Sequence, residues 1–202
     1  MSPRIPADDL PHDKHGIREY GVMLHASARQ NGALRKFHAV AGISDFATRA
    51  HVSVENFGEP TDLGEVMRRL SEIAVRTRPF RIKLDPEGAK PWGKGGAGGY
   101  EVELTEPLSA FQESVEKALS SVTKSIHAPG RKYHPHVTAY LATDEVGSAR
   151  ARKLLPELDL GSGYIARSVE LSGRRGPARG GSYTVLASFP FSLRVGPADP
   201  PL

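Results

Sequence analysis

Along this chain, segments of two-residue alternation take turns with segments of helical period, and that order limits the fold more than any other feature. Tyr20, Val22 and Leu24 alternate with other residues through REYGVMLHA and predict a strand. Ala33, Leu34, Phe37 and Val40 predict a helix. AHVSVENF predicts a strand, stopped by Gly58-Glu59-Pro60. Leu63, Val66, Met67, Leu70, Ile73 and Ala74 share one helical face behind a cap at Thr61 or Asp62. PFRIKL predicts the next strand, and a Gly-rich loop follows. The series then repeats. YEVELTE predicts a strand, and Phe111, Val115, Ala118, Leu119, Val122 and Ile126 predict a helix. YHPHVTAYLA predicts a strand, and Val146, Ala149, Leu154, Leu155 and Leu158 a weaker helix. YIARSVELSG and SYTVLASFPFSL predict two final strands across an Arg/Gly-rich turn.

The order is therefore β-α-β-α-β, the same again, and one extra strand. It predicts an α+β duplication: a bilobal chain with two antiparallel sheets facing a central cleft and the helices outside. A length of 202 residues suits one domain of this kind. The domain is expected over 18–193, between an N-terminal arm (1–17) and a C-terminal tail (194–202), both rich in Pro and lacking any period. No cysteine is present, which excludes disulfides, thiolate metal sites and a cysteine nucleophile. The net charge of +4 favours anionic partners. No leader-like or membrane-length apolar run occurs, so a cytoplasmic chain acting as a monomer away from membranes is expected.

One short motif occurs in both halves. His51-Val52-Ser53-Val54 and His136-Val137-Thr138-Ala139 each lie in the third element of their half. Strand alternation puts imidazole and hydroxyl on one face, about 7 Å apart, and the Val residues on the other. Phosphodiester cleavage needs one group to take a proton from the attacking oxygen and another to give one to the leaving oxygen. Histidine serves either purpose near neutral pH. Hydroxyls can hold the non-bridging oxygens as charge develops. A single strand histidine is usually structural; two in matching elements define a candidate site of His51, His136, Ser53 and Thr138.

These motifs resemble those of the two-histidine (2H) phosphoesterase superfamily, which includes the RNA 2′,3′-cyclic phosphodiesterases once called 2′-5′ RNA ligases. Tyr133-His134-Pro135-His136-Val137-Thr138 is similar to the family's aromatic-x-Pro-His-x-Thr signature, and Ala50-His51-Val52-Ser53-Val54 is the weaker match, with Ser in place of the commoner Thr. The element order resembles the family's from about Arg18 to Leu193. The resemblance implies a bilobal fold, no metal or other cofactor, and hydrolysis of a cyclic or 2′-5′ phosphodiester of a nucleotide or RNA end. Many RNA-type members carry an arginine just after the second motif; this chain has Ala139-Tyr140-Leu141, so its phosphate contacts must come from elsewhere. The rival reading is a module that binds such a nucleotide or RNA end without turning it over.

Other residues have both a functional and a plain reading. Arg131 and Lys132 precede the second motif and are placed to meet a phosphate. Tyr140 shares the face of His136 and Thr138 by alternation, and Tyr133 offers an aromatic wall; both could equally be packing. Trp92 and Lys94, in the Gly-rich stretch, could close on a base. His134, His136 and Glu55 are the nearest approach to a metal set, and they lack ligand spacing. Arg174, Arg175 and Arg179 could draw in RNA or could simply be solvated. His12, His15, His25, His38 and His127 show no pattern.

Overall fold

The computed structural model describes residues 13–14, 16–43, 49–92, 96–127, 132–141, 145–175 and 183–192. Its elements are β1 (Glu19–His25), α1 (Ala28–Ala41), β2 (His51–Phe57), α2 (Leu63–Arg76), β3 (Phe80–Lys83), β4 (Lys90–Trp92), β5 (Ala97–Glu101), α3 (Glu106–Leu119), β6 (His136–Leu141), α4 (Glu145–Leu154), β7 (Gly163–Ala166), β8 (Ser168–Arg174) and β9 (Tyr183–Pro190). A 3-10 turn, Leu155–Glu157, extends α4.

Local chemistry sets the helix limits. Asp62 caps α2 by accepting the Glu65 N–H at 3.1 Å, and Val66, Leu70, Ile73 and Ala74 form its buried stripe. Pro107 sits in the first turn of α3, where its missing N–H costs nothing. Leu108, Phe111, Val115 and Leu119 are that helix's buried face. Val122 and Ile126 continue its sequence period but lie beyond its end. Gly42, at φ 72°, terminates α1 in the left-handed conformation that glycine adopts without strain.

The strands run β4-β5-β6-β2-β1-β8-β9 in one antiparallel sheet, with β3-β7 as a separate pair. The two halves of the large sheet meet at β2 and β6 through one paired position, Val52 with Val137. So the expected pair of sheets joins edge to edge at the two motif strands. The helices pack across the halves. From the second half, α3 packs on β2. From the first half, α1 packs on β6, where Phe37 meets Tyr140 at 6.4 Å between ring centroids and His38 Nε2 donates to the Ala139 carbonyl at 2.6 Å.

Three details differ from the sequence reading. β4 is an added strand. The strand expected from Tyr100 begins at Ala97 and stops at Glu101, because Gly98 and Gly99 let β5 press against β6: a Cβ on Gly99 would lie 2.0 Å from the Val137 carbonyl oxygen. The stretch 164–173 divides at Arg167 into β7, which pairs with β3, and β8, which pairs with β1. At the start of the chain, Ile17 is buried in the core, and Asp13 accepts hydrogen bonds from the Ile17 N–H and the Tyr20 hydroxyl. Most of the expected arm and tail lie outside the described residues.

Candidate active site

The alternation in both motifs holds. Val52, Val54, Val137 and Ala139 are buried in the core, while His51, Ser53, His136 and Thr138 are partly exposed. Where the sequence reading sets the motif strands opposite one another across a gap, the structure makes them neighbours. An antiparallel ladder through Val52–Val137 runs His51 toward Thr138 and Ser53 toward His136. Adjacent strands lie about 4.8 Å apart, so the four groups crowd one patch of a single face.

Both rings are oriented by the same local device. His51 Nδ1 lies 2.7 Å from the Arg49 carbonyl oxygen, and His136 Nδ1 lies 3.0 Å from the His134 carbonyl oxygen. A carbonyl only accepts, so Nδ1 must carry the proton in each ring. That fixes the tautomer and leaves the ring's lone pair on Nε2. In each half the device needs only a carbonyl two residues upstream of the motif histidine.

The surroundings differ. The His25 ring is 5.5 Å from that of His51, and its Nε2 is 3.2 Å from a Glu170 carboxylate oxygen without hydrogen-bond alignment. Arg49 Nη2 donates to the same oxygen at 2.5 Å. Tyr183 meets His51 edge-on at 6.2 Å and donates its hydroxyl to Glu19, which is also paired with Arg174 and accepts from Asn56 Nδ2. Burial, then the His136 imidazole and Arg49, lower the His51 pKa. Burial pushes His25 down to about 3, helped by His51 and Arg49. On the other side, Trp92 packs edge-on against His136 at 5.0 Å, over the space left by Gly99. His134 lies 3.3 Å from Glu101 at the margin.

The remaining sequence candidates fall as follows. Tyr133 is half-buried and spans the two motifs, donating its hydroxyl to the Ser53 carbonyl at 3.1 Å. Tyr140 does not line the site. β6 carries an extra residue, Ala139, between Thr138 (opposite Gly99) and Tyr140 (opposite Gly98), and this bulge turns Tyr140 into the core at 0% exposure. Lys132 is exposed. Arg131, Lys94 and Arg179 lie outside the described residues. Arg174 is neither a solvated loop charge nor an RNA contact; it is buried against Glu19. Glu55 turns away from the histidines and accepts from Ser125 at 2.8 Å. Among the described residues no group of three or more His, Asp or Glu side chains forms a metal site.

Glu170, Arg49 and Tyr183 are absent from the sequence reading, and His25 appears there without a role. One signal for part of this set is the even alternation of β1: Tyr20, Val22 and Leu24 face the core, which leaves Glu19, Gly21, Met23 and His25 on the histidine face. No helix among the described residues is long and apolar enough to cross a membrane.

The model of the 2′-5′ RNA ligase superfamily matches residues 24–164. LigT of E. coli, in its complex with 3′-AMP, is 15% identical; the match covers 86% of this chain and 98% of that one, with a TM-score of 0.55. TT0787 of Thermus thermophilus is also 15% identical, over 86% of this chain and 97% of that one, with a TM-score of 0.54. At such identity these likenesses speak for the fold alone. No curated protein matches the chain in sequence. The family match spans most of the chain and both histidine motifs, and on that ground the chain belongs to the 2′-5′ RNA ligase superfamily, the two-histidine phosphoesterases.

Proposed function

We propose that this protein hydrolyses a cyclic or 2′-5′ phosphodiester of a nucleotide, such as a 2′,3′-cyclic phosphate, by two-histidine acid–base catalysis without a metal. The observation that carries the reading is the matched pair of imidazoles, each with Nδ1 held by a carbonyl and Nε2 turned to chemistry. Binding alone does not call for two tautomer-locked rings.

Burial favours the neutral form of His51, which suits it to act as base. In the forward step His51 Nε2 takes a proton from water as the water oxygen bonds to phosphorus. The phosphorus bond to one ribose oxygen breaks, and His136 Nε2 delivers the proton that oxygen needs. The product is a phosphomonoester. Ser53 and Thr138 donate hydrogen bonds to the non-bridging oxygens as charge builds there.

The test is turnover on a panel of nucleoside 2′,3′-cyclic phosphates, 2′-5′ dinucleotides and RNA ending in a cyclic phosphate, before and after prolonged chelation. Turnover that survives chelation is expected. Tight binding with no turnover would favour the non-catalytic module, and activity lost on chelation and restored by a divalent metal would overturn the mechanism.

A further inference from the structure

The two ends of Arg49 do different things. Its carbonyl holds the His51 ring. Its guanidinium meets Glu170 of β8, two strands from β2 in the sheet. The Glu170 side chain is 12% exposed, whereas that of Arg49 keeps 48% of its surface. A carboxylate at that depth fixes a guanidinium without covering it, and the fork carries five N–H donors, of which this contact uses one end. Strand order gives the direction. β6 lies on one side of β2, and β1 and β8 lie on the other. A phosphate attacked between His51 and His136 sits over β2 and β6. The Arg49 cation sits on the opposite flank of His51, by the carboxylate next to His25. Arg174, on the same strand as Glu170, is buried and matched to Glu19.

The geometry points to Arg49 as the receptor for a second phosphate of the substrate, flanking the one that reacts. The substrate class is then a nucleotide with a phosphate on the 5′ side of the reacting ribose, as at the end of an RNA strand, rather than a nucleoside cyclic monophosphate. This rests on the two-histidine reading for the place of the reacting phosphate. Glu170 is a positioning residue that acts through Arg49.

The experiment compares a nucleoside 2′,3′-cyclic phosphate with the same compound bearing a 5′-phosphate, by kcat/KM, in wild type, R49A and R49A/E170Q. In parallel, Kd is measured for a nucleoside 3′-monophosphate and a nucleoside 3′,5′-bisphosphate. The double variant removes the buried carboxylate charge that R49A would leave unpaired. Both variants should lose about tenfold on the two-phosphate compounds and much less on the one-phosphate compounds, the size of one charge-assisted contact. Equal losses on both compounds, or a wild-type preference restored in R49A/E170Q, would overturn the inference while leaving the catalytic reading in place. A wild type that turns over neither cyclic compound, yet prefers the bisphosphate through Arg49, would keep the inference and remove the catalytic reading.

Discussion

His51 and His136 carry one device in two unlike settings. Each ring is pinned by a carbonyl two residues upstream, and each has a hydroxyl two residues downstream. Around His51 stand charged and polar groups: His25, Arg49, Glu170 and Tyr183. Around His136 stands Trp92, over a glycine. The histidine unit is the same in both halves while its flanks differ. Like rings in unlike flanks give this face two distinct sides.

Replacing either histidine tests the shared part. H51A and H136A should each lower kcat by about 10²–10⁴, the usual contribution of a positioned proton-transfer group. The double variant should lose far less than the product of the two, since paired groups act as a unit. A full multiplicative loss would break the pairing. Next come the hydroxyls: S53A and T138A should lower kcat by about 10²–10³ or somewhat less at an open face, with S53T and T138S close to wild type. If either alanine variant keeps normal turnover, that hydroxyl does not hold the phosphoryl oxygens.

The flanks are tested by acid. His25 binds its proton at about 3 in the folded chain against 6.5 when unfolded, so between these values the unfolded chain holds more protons. Stability is therefore full above pH 6.5 and falls as pH drops toward 3, by about 1.4 kcal/mol per unit for such a group. His38 and His51 shift in the same direction. Urea midpoints from pH 7 to 5 should fall, and H25N should flatten the decline by about 2 kcal/mol over that range. An unchanged slope in H25N would remove His25 from the buried set. The smallest effect concerns the link between the motifs. Y133F removes the donor to the Ser53 carbonyl and should cost about 1 kcal/mol, read as a lower urea midpoint.

Much of this is legible from alternation and spacing. The motif faces and most of the element order follow from periods of two and 3.6 residues, and the start of α2 from a capping residue at Thr61 or Asp62, of which the structure uses Asp62. Tyr140 is misread because strand parity assumes an unbroken ladder, and the bulge at Ala139 reverses it within one residue. Arg174 reads as loop charge because its partner, Glu19, is 155 positions away. A separation of 121 positions likewise hides Glu170 from Arg49, and β4 follows from pairing with a glycine run that has no side-chain pattern. The set around His51 is assembled by strand order, and one-dimensional pattern does not carry strand order.

The pairing of β1 with β8 also governs how the molecule comes into being. During synthesis, Glu19 emerges 155 residues before Arg174. At about 5–20 residues per second, β1 waits on the order of ten seconds for the strand that will flank it. Meanwhile its hydrogen-bonding edge is an open template for another chain. Contacts so distant in sequence also close slowly once the chain is complete. A nascent chain halted before Ser168 holds both motif histidines and still lacks the strand that bears Glu170, so folding of the His51 side waits until β8 has been made.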